Sequence, residues 1–215
     1  MIKAIFYDFD GVIKESTDIK SKAFYELYLP FGEEIANKVQ QYHIEHGGVS
    51  RYEKIKLWHK EYLSETISEE ELQVWANKFS DLVLKKVVES PYVEGAKNAL
   101  ERLGHKYQQY IITGTPQQEI EQICQKLEIT KLFKKICGSP KNKIKWCSEL
   151  ILESEYKNSE IVFIGDATTD YEAAQHHHLN FILREHEENQ VLFKDKNVIK
   201  IKDLLSLESI IKNID

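Results

Sequence analysis

The sequence predicts an α/β protein, a doubly wound parallel sheet with a block of helices inserted after its first strand. Three observations carry this. Short apolar runs recur at residues 2–7, 107–112, 135–137, 161–164, 180–183 and 197–201. Segments whose apolar spacing is nearer 3.6 than 2 separate the later runs. No strand-like run interrupts residues 15–91.

The run at 2–7 is apolar on both alternating faces, as a strand buried between two helical layers must be, and reads as a central parallel strand. The separating helices begin near Gly95, Pro116, Lys141, Thr169 and Asp203, and alternation of strand and helix at this interval implies right-handed crossovers. Within the inserted block, residues 23–29, Arg51–Tyr62 and 69–88 read as amphipathic helices. In the last of these, Leu72, Trp75, Ala76, Phe79, Val83 and Val87 form one apolar stripe. Ser90-Pro91-Tyr92 marks the return to the sheet, because proline disfavours helix at the residue before it. The expected division is a sheet domain of residues 1–14 and 92–215 and a helical domain of residues 15–91 inserted after the first strand.

The chain has 215 residues, 42% hydrophobic and 30% charged, with a net charge of −6 and a pI near 5.8. This is the balance of an ordinary soluble protein, and no apolar run approaches the ~20 residues of a transmembrane helix. The expected setting is cytoplasmic, away from membranes, as a monomer or small homo-oligomer. Lysines scattered among acids make no concentrated basic face, which argues against nucleic acid; a small phosphorylated metabolite remains compatible. Three cysteines, Cys124, Cys137 and Cys147, lack CxxC spacing and read as reduced, buried apolar residues.

Four polar signals follow successive strand runs: Asp8-Phe9-Asp10-Gly11, Thr113-Gly114-Thr115, the lysines Lys141 and Lys143, and Gly165-Asp166-Ala167-Thr168-Thr169-Asp170. Ligands of an open parallel sheet gather outside the carboxyl ends of its strands, so these groups are expected to converge. Asp8 suits a nucleophile that forms an aspartyl-phosphate, and Asp10 an acid for the leaving oxygen and a base for water. Mg²⁺ prefers hard oxygen ligands; Asp8, the Asp10 carbonyl and Asp166 supply them, with Asp170 a further ligand or an outer-shell orienter. Thr113 can donate its hydroxyl to phosphate, assisted by the backbone N–H of Gly114 at a helix start. One lysine must balance the remaining charge. Taken singly, each signal is also ordinary turn or cap chemistry; their shared order favours the functional reading.

These motifs resemble the haloacid dehalogenase (HAD) superfamily, with its Asp-x-Asp, its Ser/Thr after the second core strand, its Lys and its Gly-Asp-x-x-x-Asp. Residues 91–96 followed by Leu100 and Leu103 look like the cap-to-core return of phosphoglycolate-phosphatase-like members. The resemblance implies a Rossmann-like core and a Mg²⁺-dependent phosphatase with Asp8 as nucleophile and metal ligand, Asp10 as acid/base, Thr113 as phosphate ligand and Asp166 as metal ligand. At the third motif Gly138-Ser139-Pro140-Lys141-Asn142-Lys143 resembles a Gly-Ser-Pro-x-x-Lys form, favouring Lys143 over Lys141. Alternatives within the same architecture are a sugar phosphomutase and a non-catalytic phosphometabolite sensor; intact Asp8 and Asp10 speak against the sensor.

Substrate choice is expected to lie with the inserted block, with hinges near residues 14–18 and 88–92. In residues 46–54, paired glycines permit close backbone approach, and Arg51 can clamp a carboxylate or phosphate bidentately; the competing reading is an exposed loop whose Arg51 and Lys54 face water. His176, His177 and His178 point in different directions on a helix and do not make a metal site. Trp58, Trp75 and Trp146 read as core.

Overall fold

The computed structural model describes residues 1–214. Its six strands, β1 (Ala4–Tyr7), β2 (Gln108–Pro116), β3 (Lys135–Ser139), β4 (Ile161–Gly165), β5 (Asn180–Arg184) and β6 (Ile199–Ile201), form one parallel sheet in the order β3-β2-β1-β4-β5-β6. Every predicted run contributes a strand. In β1, Ala4 and Phe6 pack into one hydrophobic cluster and Ile5 and Tyr7 into the other, which is why the run is apolar on both faces.

The two clusters are the two sides of a doubly wound sheet. On one side Leu100 of α5 (Ala96–Leu103), Ile120 and Ile123 of α6 (Gln117–Lys126) and Leu207 of α9 (Leu207–Lys212) cover Ile5, Ile111 and Ile164. On the other, Cys147 and Leu150 of α7 (Lys143–Ser154) and Ala173 and Ala174 of α8 (Thr168–His176) cover Phe6, Ile112 and Phe163. β1 pairs with β2 on one side and β4 on the other, so the strand order reverses there and opens a crevice beyond the carboxyl ends.

Between β1 and α5 the chain forms the inserted block of four α-helices: α1 (Thr17–Tyr28), α2 (Glu33–Glu45), α3 (Arg51–Tyr62) and α4 (Glu69–Glu89). α2 was not marked by the sequence pattern, since its apolar stripe is thin: only Ala36 and Val39 are buried. α4 starts at a capping box in which Ser68 accepts from Glu71 N and Glu71 accepts from Ser68 N. Its predicted stripe is buried except for the half-exposed Trp75. Aromatic rings fill the block's centre: Phe24 stacks on Phe79 at 3.8 Å, and Trp58 meets Phe24 edge-on at 4.8 Å and Tyr28 at 5.4 Å.

The chain's exit from β1 and its return run side by side. Glu15 N donates to Pro91 O at 3.0 Å, Val93 N to Ile13 O at 3.0 Å, and the buried Lys14 donates to Val88 O at 3.1 Å while lying over the Tyr92 ring. No helix among the described residues is long and apolar enough to cross a membrane.

Candidate active site

Asp8 leaves β1 beside β4, its N–H donating to Ile164 O at 2.9 Å. Its Oδ1 accepts from Phe9 N at 2.6 Å and its Oδ2 from Lys143 Nζ at 2.6 Å. Lys143 opens α7, where Asn142 caps the helix by accepting from Lys145 N, and reaches Asp170 Oδ1 at 2.5 Å as well. Burial would lower the Lys143 pKa, but Asp170 and Asp8 hold it above its ordinary value. Lys141 lies elsewhere: it pairs with Glu149 and sits 3.7 Å from the Trp146 ring centroid.

Asp166 follows β4. Its Oδ2 stands 3.0 Å from His186 Nε2, and its carbonyl accepts from Asn189 Nδ2 at 2.8 Å. The backbone of the Asp8–Gly11 turn comes close to it: a Cβ on Gly11 would lie 2.2 Å from Asp166 Oδ2, and Gly11 has φ +74°. Oxygen atoms of Asp8, Asp166 and Asp170 lie within 4.8 Å of one another, all three residues buried. Burial first, with neighbouring carboxylates adding to it, pushes the Asp8 and Asp170 pKa values up against the pull of Lys143. Three buried carboxylates face one ammonium. An all-oxygen donor set with more carboxylates than cations fits a hard divalent cation such as Mg²⁺. The Asp10 carbonyl accepts no hydrogen bond among the described residues, so it too is open as a ligand. Asp170 is less open: its Oδ2 accepts from Ala167 N at 3.0 Å while Oδ1 holds Lys143. Of the two roles expected for Asp170, that geometry favours the orienter.

The Asp10 side chain turns toward α1. It accepts from Ser16 Oγ at 2.6 Å, from Thr115 Oγ1 at 3.0 Å and from Lys20 Nζ. Burial alone would raise its pKa; the Lys20 charge and these hydrogen bonds outweigh it and hold Asp10 below the usual carboxylate range. Lys20, Ser16, Thr115 and His186 were not singled out by sequence. Thr115 lay inside a recognised motif; Lys20 meets Thr115 across 95 positions, a separation at which no local pattern exists.

Two expectations are corrected. Thr113 and Gly114 do not begin a helix: β2 runs on to Pro116 through an irregularity between Ile112 and Pro116, and α6 starts at Gln117. The buried Thr113 hydroxyl accepts from Thr115 N at 3.2 Å, and a Cβ on Gly114 would lie 2.5 Å from Gly48 O. Arg51 neither faces water nor keeps a free fork. It is 5% exposed and grips Glu119 of α6 bidentately, NH1 to Oε2 at 2.8 Å and NH2 to Oε1 at 2.6 Å, with NH1 also reaching Ser80 Oγ at 2.6 Å and the guanidinium 4.5 Å above Phe79. Its clamp joins the inserted block to the sheet body.

The Gly47–Gly48 loop closes over the carboxylates. Thr169 Oγ1 donates to Gly47 O at 3.2 Å, and at Gly48, φ +77°, a Cβ would stand 2.1 Å from Thr169 Oγ1 and 3.1 Å from Lys143 Nζ. Beneath it remains a cavity of about 70 Å³ lined by Asp8, Asp10, Thr113 and Asp166 from the sheet and by Lys20, His43 and Arg51 from the helices. The cysteines are buried and free, with burial pushing Cys124 and Cys137 up to about 12. Among the described residues the three aspartates are the one group disposed to hold a metal, and the three histidines are not part of it.

A doubly wound parallel sheet that gathers buried aspartates and a lysine at its switch point, under an inserted helical layer, defines a Rossmann-like α/β protein with an aspartate-centred site. The chain belongs to the haloacid dehalogenase-like hydrolase family, whose model matches residues 5–183. It is similar in fold to a β-phosphoglucomutase from Clostridium difficile (TM-score 0.78, 19% identity, covering 100% of this chain and 97% of the other). It is also similar to a haloacid dehalogenase-like hydrolase from Streptococcus pneumoniae (0.69, 19%, 97% and 98%) and to a predicted phosphoglycolate phosphatase from Haemophilus somnus (0.74, 16%, 98% and 98%). No curated protein matches the chain in sequence.

Proposed function

We propose that the chain is a Mg²⁺-dependent phosphomonoester hydrolase that acts on a small phosphorylated metabolite through an aspartyl-phosphate at Asp8. The observation that carries this reading is the pairing of Asp8 with Lys143 beside Asp166, with Asp10 held separately on its own hydrogen bonds. Two carboxylates two residues apart thereby have different environments, as a nucleophile and an acid/base require.

Asp8 attacks phosphorus while the Thr113 hydroxyl, the Gly114 N–H and the Lys143 ammonium hold the phosphoryl oxygens. To protonate the leaving oxygen Asp10 must first take up a proton, against the Lys20 pairing that holds it ionised without substrate; after alcohol departs it takes a proton from the water that attacks the phosphoaspartate. Mg²⁺, held by Asp8, Asp166 and the Asp10 carbonyl, would neutralise the phosphoryl charge; Asp170 keeps Lys143 in place. Residues 15–91 act as a cap over residues 1–14 and 92–215, excluding water once substrate is in.

The test is phosphate release from a phosphomonoester panel, with and without Mg²⁺, by wild type and Asp8→Asn. The reading predicts turnover that chelation abolishes, Mg²⁺ restores and Asp8→Asn lacks. Metal-independent turnover, or full activity in Asp8→Asn, would overturn it.

A further inference from the structure

The inserted helices line the site with three basic groups, Lys20, His43 and Arg51, and bury a fourth, Lys54, behind them. Lys20 is paired with Asp10, and Arg51 with Glu119. His43 lines the cavity, tilted against Phe24 at 4.8 Å. Lys54 is 1% exposed, and among the described residues its Nζ hydrogen-bonds only with His43 Nδ1, at 2.8 Å. No carboxylate lies within ion-pair distance of it among the described residues. A lysine buried without a counterion is costly, and the neighbouring charges aggravate the cost. Burial, then Lys20 and Lys143, push Lys54 well below its usual pKa, with Glu53 opposing weakly; burial, then Lys54, Lys20 and Arg51, do the same to His43.

The contact also fixes the imidazole. His43 Nδ1 and Lys54 Nζ share one hydrogen bond, which leaves Nε2, without a protein partner among the described residues, as the ring nitrogen free for a ligand; the subsite uses the tautomer in which Lys54 donates and Nε2 carries the proton. His43 therefore offers an N–H donor at the cavity wall, backed by an uncompensated amine, in a region of positive potential. Asp8 lines the same cavity.

We propose that the His43–Lys54 pair is a subsite for a second oxyanion of the substrate, so that the preferred ester is a compact molecule carrying a carboxylate or second phosphate a few bonds from the scissile phosphate. His43 makes the contact; Lys54 is a positioning residue that orients the ring and supplies charge through it. The limited space in this cavity, about 70 Å³, sets the compactness. This inference rests on the phosphomonoesterase reading of the site.

A matched set tests it: glycerol 3-phosphate, 3-phosphoglycerate and 1,3-propanediol bisphosphate, compared in wild type, Lys54→Met, Lys54→Arg and His43→Leu. The expected result is a kcat/KM for one of the anionic-tailed esters about tenfold or more above that for glycerol 3-phosphate, expressed in KM, as a charge-assisted hydrogen bond would give. The carboxylate and bisphosphate arms identify the second group. Lys54→Met and His43→Leu should collapse the ratio toward one, and Lys54→Arg should restore part of it. A wild-type ratio near one, or a ratio untouched by both variants, overturns the subsite while turnover itself leaves the phosphatase reading standing. Should none of the three esters be hydrolysed, thermal stabilisation of Asp8→Asn by each compound decides. A larger shift with the anionic tails, lost on adding Lys54→Met, supports the subsite without any reaction; equal shifts overturn it.

Discussion

Replacing Arg51 by Met breaks the bidentate clamp on Glu119 and leaves a 6% exposed carboxylate with the Ser80 hydroxyl as donor and no cation. Removing one partner of a buried ion pair costs about 3–5 kcal/mol. A chemical ceiling lies inside that range: an orphaned carboxylate can take up a proton, and at pH 7 this costs a glutamate with an unperturbed value near 4.3 about 3.7 kcal/mol. The expected loss is therefore about 3–4 kcal/mol, or roughly 6–16 °C in Tm for a chain of this size. The sign with pH follows. In the variant the folded carboxyl is shifted upward, so its stability deficit is absent below the unfolded value and grows as pH rises through 4.3. Lowering pH from 7 to 5 should recover about 2.7 kcal/mol. Thermal denaturation of wild type, Arg51→Met and Arg51→Met/Glu119→Met at both pH values checks this, and the double variant should regain most of the loss because it leaves no orphan. A Tm within 2 °C of wild type for Arg51→Met, or a deficit indifferent to pH, would refute the reasoning, since ~1 kcal/mol is the most that an exposed pair supplies.

Lys143→Met should lower kcat about 10²–10³-fold or more, as loss of a charge-stabilising donor does, whereas Lys141→Met, which disturbs a half-exposed pair with Glu149, should change kcat/KM less than about twofold; steady-state assays compare them. Gly48→Ala forces a left-handed φ of +77° and a Cβ against Thr169 Oγ1 and Lys143 Nζ, so kcat/KM should fall about tenfold or more with a small change in Tm. Lys54→Met should raise Tm at pH 7. Its depressed pKa means that the unfolded chain binds the extra proton between the folded value and about 10.4, so wild-type stability rises with pH across that window and the advantage of Met shrinks toward pH 10; melting curves from pH 7 to 10 show the trend.

The sheet was legible because a strand buried on both faces must be apolar at every position, and β1 with all four residues buried is the clearest case. The site's aspartates and Lys143 were legible because strand ends are where such a sheet puts its ligands. α2 was not, since a helix that buries two residues leaves little periodicity. Thr113 was placed at a helix start because a Thr-Gly pair commonly ends a strand, whereas pairing of Pro116 with Ser139 prolongs β2. Lys20, His186 and the real partner of Arg51 act through contacts between segments far apart in the chain, and nothing in the local sequence marks a lysine as buried against a carboxylate.

The central claim is that Asp8 carries the phosphoryl group. Quenching Mg²⁺-supported turnover of a hydrolysed ester with borohydride reduces an acyl phosphate to the alcohol, so mass spectrometry of the digested protein reads the site directly. The account predicts homoserine at position 8, absent without substrate and in Asp8→Asn. Turnover with Asp8 intact after the quench, or homoserine at position 10 or 166 instead, would contradict it.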